Sequence, residues 1–215
     1  MNQNPPLVIT ISRQLGSGGS YIGQQLAKKL NMYYADHDII SKAAEQLSFT
    51  ENDVAFQDEK VESFWESFLR YNVLSQDINV PAYTRFAPTS RQLFDAESKI
   101  IHRIAEEGAA IIIGRCGFHV LAGYLNKVSI FLYSDIEFRT KRIQKTENLS
   151  EKEARKAILL SDKERKMYIK NFAEREWTEA QNFDLCIDTG KIGFDNSVEL
   201  IIDYLNLRRK NKENQ

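Results

Sequence analysis

Short runs of apolar residues alternate along this chain with longer segments in which apolar side chains recur every three or four positions. The runs are VITIS at 8–12, AAIIIG at 109–114, VSIFLY at 128–133 and FDLCIDTG at 183–190. Strands of a parallel sheet that is covered by helices on both faces are apolar on both sides. The runs therefore predict buried parallel strands.

The segments between the runs have the period of amphipathic helices. Within 21–30, for example, Ile22, Leu26 and Ala27 fall on one helical face. A capping-box pair, Ser150 and Glu153, opens a long charged helix. Further helices are predicted within 36–47, 96–108, 134–145, 150–172 and 196–209, and the polar tail at 208–215 is expected to fray.

The alternation of strands and helices predicts an α/β protein with a mostly parallel sheet. Ligands of such sheets bind beyond the carboxyl ends of the strands, so residues that directly follow a strand are the first candidates for a functional site. The stretch from about 49 to 88 is charged, aromatic and weakly periodic, and it is expected to be an insertion.

The first strand runs into a glycine-rich loop, RQLGSGGS at 13–20, which leads directly into a helix. The full phosphate-binding signature is glycine, four residues, then Gly-Lys-Ser/Thr. Gly18 and Ser20 fit this signature, whereas Arg13 stands at the opening glycine and Gly19 at the lysine. Only half of the signature is present.

The remaining half can still bind a phosphate, because backbone N–H groups and the positive end of the following helix hold the anion. Gly16, Gly18 and Gly19 allow the backbone to approach the anion closely. The Ser20 hydroxyl stands where such loops offer a ligand to Mg²⁺. The missing ammonium at Gly19 requires another cation, and a tight turn that binds no ligand is the structural alternative.

Composition narrows the class of protein further. The 215 residues include 29 basic and 30 acidic ones, a balance that predicts neither a nucleic-acid nor a membrane partner. Cys116 and Cys186 do not form a disulfide framework or a zinc pattern. The first residues lack the pattern of a signal peptide, and no apolar run reaches membrane-spanning length, so a cytoplasmic location is expected.

Six segments in order make the chain resemble the cytidylate kinase-like family of P-loop proteins over essentially its whole length. They are ITISRQLGSGGSYIGQQLAKKL, YYADHDII, IIIGRCGFHVL, IFLYSDIEFRTKRI, SDKERKMYIKNF and FDLCIDTG. The lysine-free loop resembles the usual form in that family, and the resemblance therefore implies that Gly19 is a family trait.

The resemblance implies a single domain with the three-layer α/β/α fold of the nucleoside monophosphate kinases, built on a five-stranded parallel sheet. The core would comprise residues 6–48, 96–145 and 178–208. An acceptor-binding insertion would lie at about 49–95 and a helical lid at about 146–177.

The resemblance also implies roles for residues that follow the strands. Arg115 in IIIGRC would grip the phosphate of the acceptor, although Cys116 replaces an aspartate of the family motif, which leaves the recognised base open. Asp162 and Arg165 match the Asp-x-x-Arg of the family's lid, where Ile158 replaces a further arginine; a solvated ion pair is the alternative for the two.

Three arginines and an acid complete the candidates. Arg139 and Arg142 resemble arginines that face the donor phosphates, or else they belong to a charged outer helix face. Asp36 would lie near the metal and the acceptor, or else cap a helix. Arg13 would either fold over the phosphates in place of the lysine or pin the sheet edge through an ion pair.

Together these residues predict a Mg²⁺-dependent kinase that transfers the γ-phosphoryl group of ATP to a nucleoside monophosphate, with CMP as the first candidate. The predicted catalytic residues are Arg13, Asp36, Arg139 and Arg165; the predicted substrate contacts are Arg115, Asp162 and Arg142; the predicted donor site is Gly16, Ser17, Gly18, Gly19 and Ser20, with Ser20 as the metal ligand. The alternatives are a kinase for another small metabolite and a nucleotide-binding regulatory protein of weak activity. The protein is expected to be a monomer or a homodimer.

Overall fold

The computed structural model describes residues 5–36 and 91–213 of the chain. The predicted helix within 36–47 and the predicted insertion up to residue 90 lie outside the described residues, apart from Asp36 at the edge of the first range.

Five parallel strands form one sheet in the order β2-β3-β1-β4-β5, which confirms the predicted sheet. The strands are β1 (Val8–Arg13), β2 (Tyr33–Ala35), β3 (Ala110–Ile113), β4 (Lys127–Tyr133) and β5 (Leu185–Asp188). β1 lies in the middle, between β3 and β4. The strand order therefore reverses beside β1, and the glycine-rich loop leaves the sheet at this switch point, where α/β proteins bind their ligands.

Seven helices are described in these two ranges, together with a 3₁₀ turn at Ala180–Asn182. They are α1 (Gly19–Leu30), α2 (Arg91–Glu107), α3 (Gly117–Val120), α4 (Ile136–Glu147), α5 (Glu151–Ala173), α6 (Thr189–Ile192) and α7 (Phe194–Glu213). None of them combines the length and the apolar composition that crossing a membrane requires.

Two helix bounds differ from the sequence expectations. α2 begins at Arg91, inside the stretch predicted as insertion. α7 continues to Glu213, so most of the polar tail that was expected to fray is helical. This helix contains no glycine or proline, and its last turns consist mainly of residues with good helix propensity.

The sheet is buried on both faces, as the continuous apolar runs predict. On one face Val8 and Ile112 pack with Ile101 and other residues of α2. On the other face Ile9 and Ile11 pack with α1 and α7, the latter through Val198 and other side chains. This arrangement confirms the three-layer α/β/α architecture.

The predicted lid helix, α5, packs on the rest of the protein in its first turns and in its last turns. Its capping box at Ser150 and Glu153 is formed as predicted. Near the start of the helix, Ile158 is fully buried with Ile143 of α4, so an apolar contact occupies the position where the family motif has an arginine. Near its end, Tyr168 belongs to an aromatic cluster that also contains Trp177.

Thr189, the first residue of α6, forms hydrogen bonds with the glycine-rich loop and with the end of β4. It is fully buried, and its hydroxyl is 3.0 Å from the carbonyl oxygen of Ser17 and 3.2 Å from that of Tyr133. One hydroxyl hydrogen is thus shared between the glycine-rich loop and the end of β4.

We expect Thr189→Val to lower the free energy of unfolding by about 1–3 kcal/mol, because two buried carbonyls lose their common donor. Thr189→Ser, the matched control, keeps the donor and loses one buried methyl, worth about 0.8 kcal/mol. Urea unfolding measures both values. A valine variant that is as stable as the serine variant would contradict this role of the hydroxyl.

Candidate active site

The loop that joins β1 to α1 has the backbone of an anion-binding nest. Gly16 and Gly18 adopt left-handed angles, with φ of 85° and 81°. Gly18 precedes α1 without a side-chain cap, and the first turn of the helix contains no acidic residue. The first N–H groups of a helix have no acceptor within it and carry the positive end of its dipole. The loop can therefore receive a negatively charged group.

Close neighbours also require glycine in this loop. A Cβ atom on Gly18 would lie 2.5 Å from Cε1 of Phe194, at the start of α7. A Cβ atom on Gly16 would lie 3.0 Å from the Cβ and the carbonyl oxygen of Arg139 in α4. Helices α4 and α7 therefore pack against one side of the loop, and a ligand can approach only its other side.

Buried hydrogen bonds hold the loop in this shape. The Ser17 side chain is fully buried, and its hydroxyl is 2.8 Å from the carbonyl oxygen of Gln14 and 3.1 Å from that of Leu132. The Gln14 side chain accepts a hydrogen bond from the N–H of Ser134. Ser17 thus fixes the backbone of the loop through hydrogen bonds inside the protein. Its predicted contact with the nucleotide that donates the phosphate stays a prediction.

The side chain of Arg13 lies across Gly19, the position of the missing lysine. A Cβ atom on Gly19 would be 2.5 Å from Cγ and 2.8 Å from Cβ of Arg13. These two atoms sit near the backbone and cannot move far, so any side chain at position 19 competes with Arg13 for the same space. Arginine at 13 and lysine at 19 are therefore mutually exclusive in this conformation.

The guanidinium of Arg13 continues toward the end of β3. Its Nη1 lies 2.1 Å from the place where a Cβ atom on Gly114 would be, and Gly114 has a φ of 76°. Its Nη2 lies 4.0 Å from Oδ1 of Asp36, at the end of β2. Arg13 therefore occupies the space beside Gly19 and forms the ion-pair alternative with Asp36. Its predicted place over the donor phosphates stays a prediction.

Ser20 and Asp36 are linked through the phenol of Tyr34. The Tyr34 hydroxyl donates to Oδ2 of Asp36 at 3.1 Å. The same Tyr34 hydroxyl also forms a hydrogen bond with the Ser20 side chain. Burial, together with the charge of Asp36, raises the pKa of Tyr34 well above its usual range. The phenol therefore remains a neutral donor between a hydroxyl and a carboxylate.

Ser20 and Asp36 are the oxygen-bearing side chains that are predicted from the sequence to lie near Mg²⁺, and their contact with the ion stays a prediction. In the ranges 5–36 and 91–213, no group of three or more His, Cys, Asp or Glu side chains is arranged to hold a metal. Mg²⁺ typically uses one or two protein oxygens and fills its other positions with water and substrate phosphates. Ser20 and Asp36 supply oxygens of that kind.

Arg139 and Asp162 form a partly buried ion pair behind the loop, with 2.6 Å between Nη1 and Oδ2. The guanidinium of Arg139 also donates to the carbonyl oxygens of Ser134 and Leu15. The other oxygen of Asp162 accepts from the N–H of Leu15 at 3.4 Å. These contacts attach α4 and α5 to the loop backbone, and the predicted direct contacts of Arg139 and Asp162 with substrate stay predictions.

Arg165 and Arg142 border the open side of the loop. Nη1 of Arg165 donates to the carbonyl oxygen of Arg13 at 3.0 Å. The guanidinium of Arg142 lies 4.2 Å from the centre of the Phe194 ring, and its partial burial lowers the pKa of the group. The predicted contact of Arg142 with substrate stays a prediction.

Two adjoining cavities meet at Arg13 and Arg165. The first lies over the glycine-rich loop and is lined by Arg13, Gln14, Leu15, Gly16, Gly18, Gly19, Ser20, Tyr21, Arg142, Ile143, Thr146, Glu147 and Arg165. The second lies beyond β3 and is lined by Ser12, Arg13, Gly114, Arg115, Cys116, Arg165, Tyr168, Ile169 and Trp177. We call them the loop cavity and the β3 cavity.

Arg115 lines the β3 cavity from a left-handed turn, with a φ of 51°. Its side chain is almost wholly buried, and Nη1 lies 3.2 Å from Oε1 of Glu97 in α2. Cys116 beside it is a free thiol whose pKa is raised to about 12, first by burial. The thiol is therefore neutral at physiological pH.

Sequence reasoning missed several residues of this site, notably Glu97, Tyr34 and Trp177. Glu97 does carry a signal: it lies on the apolar face of α2, four positions before Ile101. A carboxylate on a helix face that packs into the core requires a buried partner.

Comparisons with known proteins agree with this fold. A model of the cytidylate kinase-like family matches residues 8–191. A structure of an uncharacterised protein from Eubacterium ventriosum ATCC 27560 is similar, with 23% identity and a TM-score of 0.67 over 93% of this chain and 98% of the other.

A shikimate kinase structure from Bacteroides thetaiotaomicron shares the fold at 13% identity, with a TM-score of 0.51 over 93% of this chain and 98% of the other. No curated protein matches the chain. The family match spans most of the residues, including the loop, both cavities and α5. The chain therefore belongs to the cytidylate kinase-like family.

Proposed function

We propose that this protein is a Mg²⁺-dependent kinase that transfers the γ-phosphoryl group of ATP to a nucleoside monophosphate, with CMP as the first candidate. The observation that carries the proposal is the pair of adjoining cavities with Arg13 and Arg165 at their border. A phosphoryl group that moves between two substrates passes through such a border, where its charge must be neutralised.

The donor would lie in the loop cavity. The backbone N–H groups of Gly16, Gly18, Gly19 and Ser20 would hold its phosphates at the positive end of α1, and Arg142 would add a charge from α4. Ser20, with Asp36, would hold Mg²⁺. When bound, this ion neutralises charge on the donor's β- and γ-phosphates.

The acceptor would lie in the β3 cavity, with its phosphate on Arg115. A guanidinium binds a phosphate with two parallel N–H groups, which fixes both distance and direction. The rings of Tyr168 and Trp177 supply an apolar wall beside it. A phosphate acceptor is already anionic and needs no strong base, so Asp36 would order the metal site and Arg13.

During transfer, an oxygen of the acceptor phosphate forms the new bond to the γ-phosphorus while the bond to the bridging oxygen breaks and ADP leaves. Arg13 and Arg165 would bind the oxygens of the transferring group from the border of the cavities. Preorganised donors of this kind stabilise the charge of the transition state without moving. Arg139 and Asp162 would act by holding the loop and α5 in place.

The first test is phosphate transfer itself. We expect the purified protein, with ATP and Mg²⁺, to phosphorylate at least one member of a panel of CMP, UMP, AMP and GMP, with ADP formation as the readout. Turnover with a small metabolite but with none of these would favour the metabolite kinase. ATP binding without turnover on either panel would favour the regulatory protein.

The second test moves the positive charge from position 13 to position 19, where the full phosphate-binding signature has its lysine. Arg13→Gly should lower kcat roughly 100-fold or more, as expected for the loss of one preorganised donor. Gly19→Lys alone should also be slow, because the lysine collides with Arg13. The double variant Arg13→Gly/Gly19→Lys removes the collision and restores an ammonium, so we expect at least tenfold more activity than in Arg13→Gly.

A matched control for these variants is Arg155→Met, which removes an exposed arginine of α5 that pairs with Glu137. It should leave kcat within about twofold, since surface ion pairs contribute little. A double variant that is no faster than Arg13→Gly would show that the two positions do not share one role.

A third test concerns the metal. Ser20→Ala should raise the Mg²⁺ concentration for half-maximal rate about tenfold, because it removes a protein oxygen from the proposed ion. Ser20→Thr keeps the hydroxyl and should remain close to the wild-type value. Equal Mg²⁺ requirements in all three proteins would exclude Ser20 as a ligand.

A further inference from the structure

Glu97 is a buried acid between the acceptor side and α5. Its side chain is 1% exposed, and it lies on α2 with Oε1 directed to Arg115. Its second oxygen, Oε2, accepts a hydrogen bond of 2.9 Å from the Tyr168 hydroxyl. The carboxylate thus joins three separate parts of the protein: α2, the turn after β3, and α5.

Stability alone does not account for this arrangement. Replacing a buried ion pair by apolar residues of similar volume is often neutral or stabilising. On the same helix, Phe94, Ile100 and Ile101 are buried apolar side chains. A charge retained at this place, beside a cavity, indicates a role in function.

Among the described residues, the titratable groups that interact with Glu97 are Arg115, Cys116 and Tyr168. Burial raises the pKa of Glu97, and the Arg115 charge and the Tyr168 hydrogen bond oppose this effect. The pKa of Tyr168 is raised well above its usual range by burial and by Glu97. The raised pKa of Cys116 keeps its thiol neutral. Glu97 therefore takes up a proton at a higher pH than an exposed glutamate does, and loses its hold on Arg115 when it does so.

Tyr168 also connects this group to the border of the two cavities. Arg165 lies three positions earlier on α5, so the two side chains share a face of the helix. Arg165 lines both cavities, and Tyr168 lines the β3 cavity. A bond that fixes Tyr168 therefore also fixes the rotation of α5 that points Arg165 to the border.

We propose that Glu97 is a positioning residue for the phosphate acceptor: its charged carboxylate orients Arg115 toward the acceptor phosphate and, through Tyr168, fixes the α5 face that carries Arg165. This inference rests on the proposed kinase function. In this proposal, the ion pair of Glu97 with Arg115 determines the affinity for the acceptor, and the hydrogen bond of Glu97 with Tyr168 determines the rate of turnover.

The test separates the two contacts by binding and by rate. Glu97→Gln keeps the shape and removes the charge, so we expect the Kd for CMP, measured by calorimetry, to rise about tenfold or more. This factor corresponds to the loss of one well-oriented charge-assisted hydrogen bond. The Kd for ADP should stay within about threefold, because the loop cavity does not contain Glu97.

Tyr168→Phe is the matched variant, because it keeps the ring and the ion pair and removes one hydroxyl. We expect its Kd for CMP to stay within about threefold while kcat falls about fivefold or more. A purely structural role would instead weaken CMP and ADP binding together in both variants, in step with a lower melting temperature, and would overturn the inference.

A pH series adds a readout that does not depend on a variant. Because burial raises the pKa of Glu97, lowering the pH within the range in which the protein stays folded should protonate Glu97 and raise the Kd for CMP of the wild type. In Glu97→Gln only the titration of CMP itself remains, so the two curves should converge at low pH. Curves that stay parallel down to the pH at which the protein unfolds would overturn the inference.

Two further outcomes are distinguishable. If Glu97→Gln does not fold, Tyr168→Phe and the wild-type pH series decide, and a Tyr168→Phe kcat equal to that of the wild type overturns the proposal. A wild-type protein that binds ADP but none of CMP, UMP, AMP or GMP overturns the proposed acceptor class, and with it this inference.

Discussion

The site depends on one steric relation, the packing of the Arg13 side chain on the bare backbone of Gly19. A side chain at position 19 would displace the arginine, and an arginine at 13 excludes a lysine at 19. Because the stem of Arg13 is held there, its guanidinium reaches Gly114 and Asp36 and lies between the two cavities. A positive charge therefore stands at the end of the strand instead of the start of the helix, and it lies on the side of the loop that faces the β3 cavity.

The loop around this pair is held by polar groups that are themselves buried. Arg139 and Asp162 bind its backbone from α4 and α5, and Thr189 binds it from α6. Buried polar groups cost free energy unless they are paired, so each contact is specific to one arrangement of the helices. Any movement of α5 away from the loop would break the Asp162 contacts. The shape of the phosphate nest and the position of the predicted lid are therefore linked.

Much of this could be predicted from local sequence. Continuous apolar runs such as AAIIIG predict buried parallel strands because both faces of the sheet must be covered. The glycines of the loop predict left-handed backbone and close approach, and Ser150 with Glu153 predicts the start of α5. The end of α7 was missed, because a polar tail and a polar helix surface have the same composition. The contacts of Ser17, Arg139 and Asp162 with the loop backbone were not predicted, because the same polar side chain can face a ligand or a backbone group.

By itself the sequence determined the class of fold, the place of the loop at the end of the first strand, and the absence of lysine from that loop. These features follow from neighbouring residues and from the period of apolar positions. Only the tertiary structure decided that Arg13 occupies the space of the lysine, that Glu97 pairs with Arg115, and that Asp162 binds the loop. The physical reason is the same in each case. These contacts join segments that are distant along the chain, and such pairs form only when the sheet and helices have packed.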